Sequence, residues 1–231
     1  MSKEKKVGIP TLYISICVVL LYFVWPYFVN AILAILGVKG DAILYSSLSA
    51  NFLLMFLIIG IYFQGIKDDL INYKKNYKKL FFKGGKIFII GIIIYMIVSI
   101  VIVGLFPEGS NESVDSLLHI YDKSPFLLLI STLFYFPIVE ELVFKKTFKN
   151  FINNKWLFVI VTALMNGIFE VVFSYSDITG IINVLPLVVF YGMLSYIYYE
   201  TDNITVSISY RMLFNLIPCI GALLNVALIL L

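Results

Sequence analysis

One histidine, His119, and two cysteines, Cys17 and Cys219, are all the imidazole and thiol side chains in the sequence. Zinc ligation of the usual kind, which draws several ligands from histidine and cysteine, lacks its parts. Both cysteines lie inside apolar runs, so no disulfide framework is readable and two buried free thiols are expected. Charge is scarce as well. Only 13% of the residues are charged and 61% are hydrophobic, with a mean hydropathy of +0.98; a soluble domain has about a quarter charged and half apolar. One water-soluble core cannot hide that much apolar side chain, so the solvent around this chain is lipid. Internal repeats, low-complexity tracts and phosphate-cradling glycine loops are missing too; Gly84 and Gly85 merely precede an apolar run.

What is present is a series of long apolar stretches. A helix crosses the hydrocarbon with about 20 apolar residues, and the sequence predicts spans near 11–36, 43–64, 84–106, 125–148, 156–174, 181–199 and 204–231. The last contains Pro218 and is expected as one kinked helix or two short ones. The fold class is therefore all-α, a polytopic transmembrane bundle of seven to eight helices in a single integral-membrane domain over 1–231. Barrel strands would alternate, and these runs do not. The first run is too long and bulky for a signal peptide and no small-residue cleavage site follows it, so it is expected to remain as a membrane helix.

Lysine placement sets the orientation. Lys3, Lys5 and Lys6 precede the first span, seven lysines lie between the second and third, and Lys145, Lys146, Lys149 and Lys155 sit at or after the end of the fourth. The other side receives Lys39 and Lys123. Fourteen against two puts the amino terminus in the cytoplasm and the loop 107–124, which holds His119, outside. The expected location is the cell membrane. The segment 65–86 mixes lysines with Tyr73, Tyr77, Phe81 and Phe82 and reads as an interfacial helix on anionic lipid. Positive-inside charge accounts for its lysines, so nucleic acid is not an expected partner.

Charges within spans cost about 2.5–3.5 kcal/mol each at the centre, so they mark function first. They are Glu140, Glu141, Glu170 and Arg211, accompanied by Asn166 and Asn215. Residues four apart share a helix face. That spacing pairs Asn166 with Glu170 and Arg211 with Asn215, and gives Glu141 a local partner in Lys145, expected to snorkel at the cytoplasmic end. Glu140 is about 100° away around the helix and has no such partner on its own helix. Arg211 is expected to pair across helices, with Glu170 or with Glu140; spacing does not choose.

At these residues the chain resembles the CPBP family, the CAAX-protease and bacteriocin-processing intramembrane proteins also called Abi. PIVEELVFKKTF is similar to its EExxxR motif, TALMNGIFE to its FxxxH motif, and FYGMLSYIYYETDNITVSISYRMLFNLI to its closing segment, where a "YY-x-T-x-N" turn leads into a helix bearing HxxxN. The resemblance covers 125–217 as a CAAX-protease-like core and leaves three amino-terminal helices, 1–106, outside it. It implies a helical membrane fold whose polar residues converge in a cavity on the cytoplasmic half. In active members the first glutamate activates water, as a base or with metal help, while two histidines and an asparagine complete the site. Carried over, Glu140 matches the water-activating acid, Glu141 its neighbour, Lys145 the arginine and Asn215 the asparagine. The histidine positions fall on Glu170 and Arg211, and Asn166 stands where phenylalanine is expected.

Three functions compete. The first is a family member with a degenerate site: a bacteriocin self-immunity or membrane or cell-wall regulatory protein that binds a membrane peptide or bacteriocin. Opposite charges at the two histidine positions suggest a structural Glu170–Arg211 exchange in place of catalysis. The second is an active CAAX-type endopeptidase using Glu140 on a prenylated or leader peptide. No cofactor is expected, zinc entering only if the family's metal use is kept. The third is a transporter with a buried charge relay.

Overall fold

The computed structural model describes residues 9–106, 125–174, 182 and 184–229, with the side chains of 9–12, 125, 128, 170–174 and 221–229 outside that description. His119 and the loop around it lie outside the described residues. Every regular element among the described residues is helical. Helix α1 (Ile9–Ile35) carries Pro26 inside it, and α2 (Asp41–Ile61) follows a turn in which Gly37 and Gly40 both take positive φ. Helix α3 (Phe63–Lys75) is short and has no buried residue; α4 (Tyr77–Leu105) is the long rod after it. Helix α5 runs continuously over 125–149, α6 is Lys155–Ser174, α7 is Leu185–Thr201 and α8 is Ile204–Ile229.

The outward faces are apolar. On α4, Ile89, Ile93, Ile97 and Ile100 are all more than half exposed, which is the surface of a helix solvated by lipid rather than water. Among the described residues three helices are long and apolar enough to cross a membrane, within Tyr13–Ile35, Asp41–Ile61 and Tyr77–Leu105; Lys155–Phe169 and Ile204–Ile220 are shorter apolar helices. The protein is thus a multi-pass helical membrane protein. Cys17 departs from expectation: it is exposed on α1, while Cys219 is buried.

Two sequence boundaries move for physical reasons. The expected interfacial segment 65–86 is two elements, because the chain turns at Asn76. Residues 77–86 form the first turns of α4 itself, their lysines extending from its end as amphipathic side chains do. The stretch after 204 is one helix with Pro218 within it.

The α7–α8 corner shows what the "YY-x-T-x-N" pattern does physically. Asp202 ends α7 in the left-handed region (φ 47) and its N–H returns to the Tyr198 carbonyl, 2.8 Å. Thr201 Oγ1 donates to the Ile197 carbonyl at 2.7 Å. Asn203 caps α8, its Oδ1 accepting from the Val206 N–H, while its Nδ2 donates to the Asp69 carbonyl, 2.7 Å. One asparagine therefore starts α8 and ties it to α3. Asp69 in turn accepts from Lys146, and Glu200 sits between Lys83 and Lys155. Asn150 reaches Ser15 on α1. These contacts gather the lysine-rich segments at one end of the bundle, as the charge distribution requires. At that end the Lys155 hydrogen bond holds the Glu200 carboxyl below its usual range, and Glu200 raises the Lys155 ammonium in turn. Burial lowers Lys149, which lies 3.3 Å from the Tyr199 ring centroid.

Helices approach closely where glycine allows it. A β-carbon at Gly91 on α4 would overlap the side chain of Met193 on α7. At Gly167 on α6 it would lie 2.5 Å from Val188 Cγ2. Gly91→Ala is therefore expected to push α4 off α7 and destabilise the protein by about 1–3 kcal/mol, the usual overpacking cost. Thermal unfolding in detergent measures it. Gly104, which has open space around its α-carbon, serves as the neutral control.

A buried charge cluster as the candidate functional site

Helix α5 is irregular where the acids sit. It contains two wide turns with i→i+5 bonding, Ser131–Tyr135 and Glu141–Lys146, flanking the short α-helical piece Phe136–Glu140. The first has a local cause. The Phe136 N–H bonds back to the Ser131 carbonyl, and the next residue, Pro137, has no N–H to give. The Thr132 carbonyl is left without a helix donor. Asn215 Nδ2 of α8 supplies one at 2.8 Å, satisfying a group that would otherwise be orphaned in the membrane. The second wide turn carries Glu141 and Lys145. Wide turns inside α-helices occur often at functional sites.

Four ionisable side chains meet there. Arg211 donates through Nη2 to Glu140 Oε2, and its Nη1 lies 3.5 Å from Glu141 Oε1. Lys145 donates to Glu141 Oε1. Ser207 Oγ stands 2.5 Å from Glu141 Oε2 and 3.0 Å from the Leu194 carbonyl. All are buried: Glu141, Lys145 and Ser207 show no exposed surface, Glu140 3% and Arg211 4%. Two carboxylates and two cations balance in charge, which is the condition on which a membrane interior tolerates them. The Tyr191 ring of α7 lies beneath the guanidinium, its centroid 5.0 Å from Cζ.

Of the residues expected from the sequence, Glu140, Glu141, Lys145 and Arg211 come together. Glu141 does take Lys145 as its local partner, but Lys145 does not snorkel: it is enclosed by the bundle, because Glu141 holds its ammonium inside. Of the two partners open to Arg211, Glu140 is the one it binds among the described residues; the side chain of Glu170 lies outside them. Asn215 is near the cluster in sequence spacing yet spends its amide on Thr132. Asn166 is buried on α6, its Nδ2 donating to the Thr162 carbonyl at 2.8 Å and its Oδ1 without a partner among the described residues. Among the described residues, Arg211 Nε and Nη1 likewise make no hydrogen bond. Sequence reasoning missed Ser207 and Tyr191. Ser207 was legible, since Ser207, Arg211 and Asn215 recur every four residues on one face of α8. Tyr191 had no signal, because it comes from another helix.

A divalent ion would need the two carboxylates free of cations. Arg211 and Lys145 hold them, and a guanidinium cannot ligate. No three of histidine, cysteine, aspartate or glutamate converge among the described residues. The described residues of this cluster do not fit a metal.

Fold and site together define a polytopic helical membrane protein with a buried, charge-balanced cluster set between α5 and α8. Comparison with protein families gives the particular kind: residues 122–217 match the Rce1-like family, described as type II CAAX prenyl endopeptidase Rce1-like. The matched residues coincide with the stretch 125–217 whose motifs resemble the CPBP family. No curated protein and no solved structure matches the chain.

Proposed function

We propose that this CPBP-family protein works in the cell membrane by binding rather than by peptide hydrolysis, as a bacteriocin self-immunity or membrane or cell-wall regulatory protein, with its amino terminus in the cytoplasm. The observation that carries the reading is the ion pair between Glu140 and Arg211. A water-activating carboxylate must accept a proton from water and let it go again. Glu140 is instead neutralised by a guanidinium standing where the family resemblance places a histidine, and arginine neither accepts a proton at working pH nor yields its own. Asn215, the position matched to the family's asparagine, is occupied by the Thr132 carbonyl. The chain keeps the architecture of the site and fills it with its own charges.

The test compares wild type with Glu140→Gln, both purified in detergent and matched for thermal stability, against prenylated peptides and leader peptides. Neither is expected to cleave. In cells, tolerance to a bacteriocin, where wild type confers it, is expected to survive Glu140→Gln. Cleavage by wild type that vanishes in the variant would establish an endopeptidase and sink the binding reading.

A further inference from the structure

Beside α8 lies an open apolar groove of about 460 Å³, lined by residues of α4, α5 and α8. Tyr77 and Phe81 of α4 form one wall, Leu133 and Phe134 of α5 another, and Met212 and Leu216 of α8 the floor. Its volume falls within the range of small-molecule pockets, about 300–1,000 Å³. It starts at Tyr77, the first residue of α4 at the lysine-rich end of the bundle, and runs inward along two turns of α8. A groove so placed opens sideways to the acyl region of a bilayer and endwise to its headgroups.

The charges at its mouth name the occupant. Some lysines at this end are matched, Lys83 and Lys155 with Glu200, Lys146 with Asp69, and Lys145 with Glu141, while Lys67 and Lys86 are exposed without an ion pair among the described residues. Lys74, Lys75, Lys78 and Lys79, which bracket Tyr77 in sequence, are exposed and make no ion pair among the described residues. Lys78 lies three residues from the groove-facing Phe81 on α4, so the two share a face, and Lys74 sits in the last turn of α3, just across the Asn76 turn from Tyr77. The Tyr73 ring of α3 meets Tyr77 edge-on, 5.4 Å between centroids, which sets the end of α3 beside the groove wall. Apolar wall and unmatched cations thus follow one another along a single axis.

We propose that this groove is a binding site for one anionic phospholipid, its acyl chain lying between α4, α5 and α8 and its phosphate held by Lys74 and Lys78. The arrangement fits a molecule that is apolar for most of its length and negative at one end. A neutral lipid would leave the lysines unmatched. A juxtamembrane lysine contributes about 1 kcal/mol toward anionic lipid, so a pair favours it by roughly 30-fold.

Native mass spectrometry of the protein released from detergent tests it, with phosphatidylglycerol and phosphatidylcholine of identical acyl chains added at equal concentration. Wild type is expected to retain one phosphatidylglycerol and to prefer it by roughly 30-fold. The double variant Lys74→Gln, Lys78→Gln is expected to retain either lipid about equally. Met212→Trp, which fills the floor, is expected to retain neither while keeping the unfolding temperature of wild type. If Met212→Trp unfolds, Leu216→Phe replaces it on the same floor. Equal retention of the two lipids by wild type overturns the proposal. So does undiminished retention in a folded groove-filled variant, or a dimer that disappears when the groove is filled, which would make a second copy of the chain the occupant.

Discussion

Arg211→Leu is expected to cost about 3–5 kcal/mol, the loss seen when one member of a buried ion pair is removed. Arg211 faces Glu140 directly and Glu141 at 3.5 Å, so its removal takes the guanidinium from one carboxylate and weakens the hold on a second. Without the guanidinium a charged Glu140 costs more in a low-dielectric interior, which favours its protonated form. That response limits the loss and makes it depend on pH: the variant should be least stable at high pH, where protonating Glu140 costs most, and should recover as the pH falls. The measurement is chemical or thermal unfolding in detergent across pH. The double variant Glu140→Gln, Arg211→Leu removes both charges and is expected to recover much of the loss, because an uncharged pair of similar size has no stranded ion. Failure of the second change to improve on Arg211→Leu would mean that Glu140 is not its energetic partner. A Glu170→Gln change that rescued Arg211→Leu equally well would transfer the pairing to α6.

The second large effect is expected at Lys145. Lys145→Met leaves Glu141 with Ser207 and with the distant arm of Arg211. The loss should again reach about 3 kcal/mol, at the lower end of the buried-pair range because two donors remain. Adding Glu141→Gln should restore stability, and a double-mutant cycle gives the coupling between the two positions. Surface arithmetic predicts otherwise. If Lys145 snorkelled to the headgroups, as its place before Lys146 and Lys149 suggests, its pair with Glu141 would be worth at most about 1 kcal/mol. The size of the Lys145→Met effect therefore separates a sealed cluster from a solvated helix end. It is independent of whether the protein hydrolyses peptides, so the architecture can be tested without a substrate in hand.

Much of the site was legible in the sequence. Charges in apolar runs are few, and helical spacing alone joined Glu141 to Lys145 and aligned Arg211 with Asn215. The wide turns were not legible as such, although Pro137 marks their position. A proline inside a membrane helix removes one donor, and how the orphaned carbonyl is rescued depends on which neighbour stands opposite. Burial of Lys145 leaves no mark in the sequence for a similar reason. A run of lysines at a helix end looks like a solvated terminus until the helices packed over it are known. Tyr191, which lies under the guanidinium, is separated from it by a whole turn between helices and leaves no periodic trace.

By itself the sequence determined the solvent, the helical class and the stretch that resembles a known family. Apolar runs of spanning length admit no other secondary structure in lipid, since each backbone group must be satisfied within its own segment, and the motifs over 125–217 carry the relationship. It also determined which residues must be paired, because charge in hydrocarbon cannot stand alone. Only the tertiary structure decided the pairing. Whether Arg211 meets Glu140 or another acid depends on the rotation and depth of α5 against α8. Those are set by Asn215 on the Thr132 carbonyl, Asn203 on α3 and Ser207 on Glu141, contacts between segments far apart in the chain that no spacing along one helix encodes.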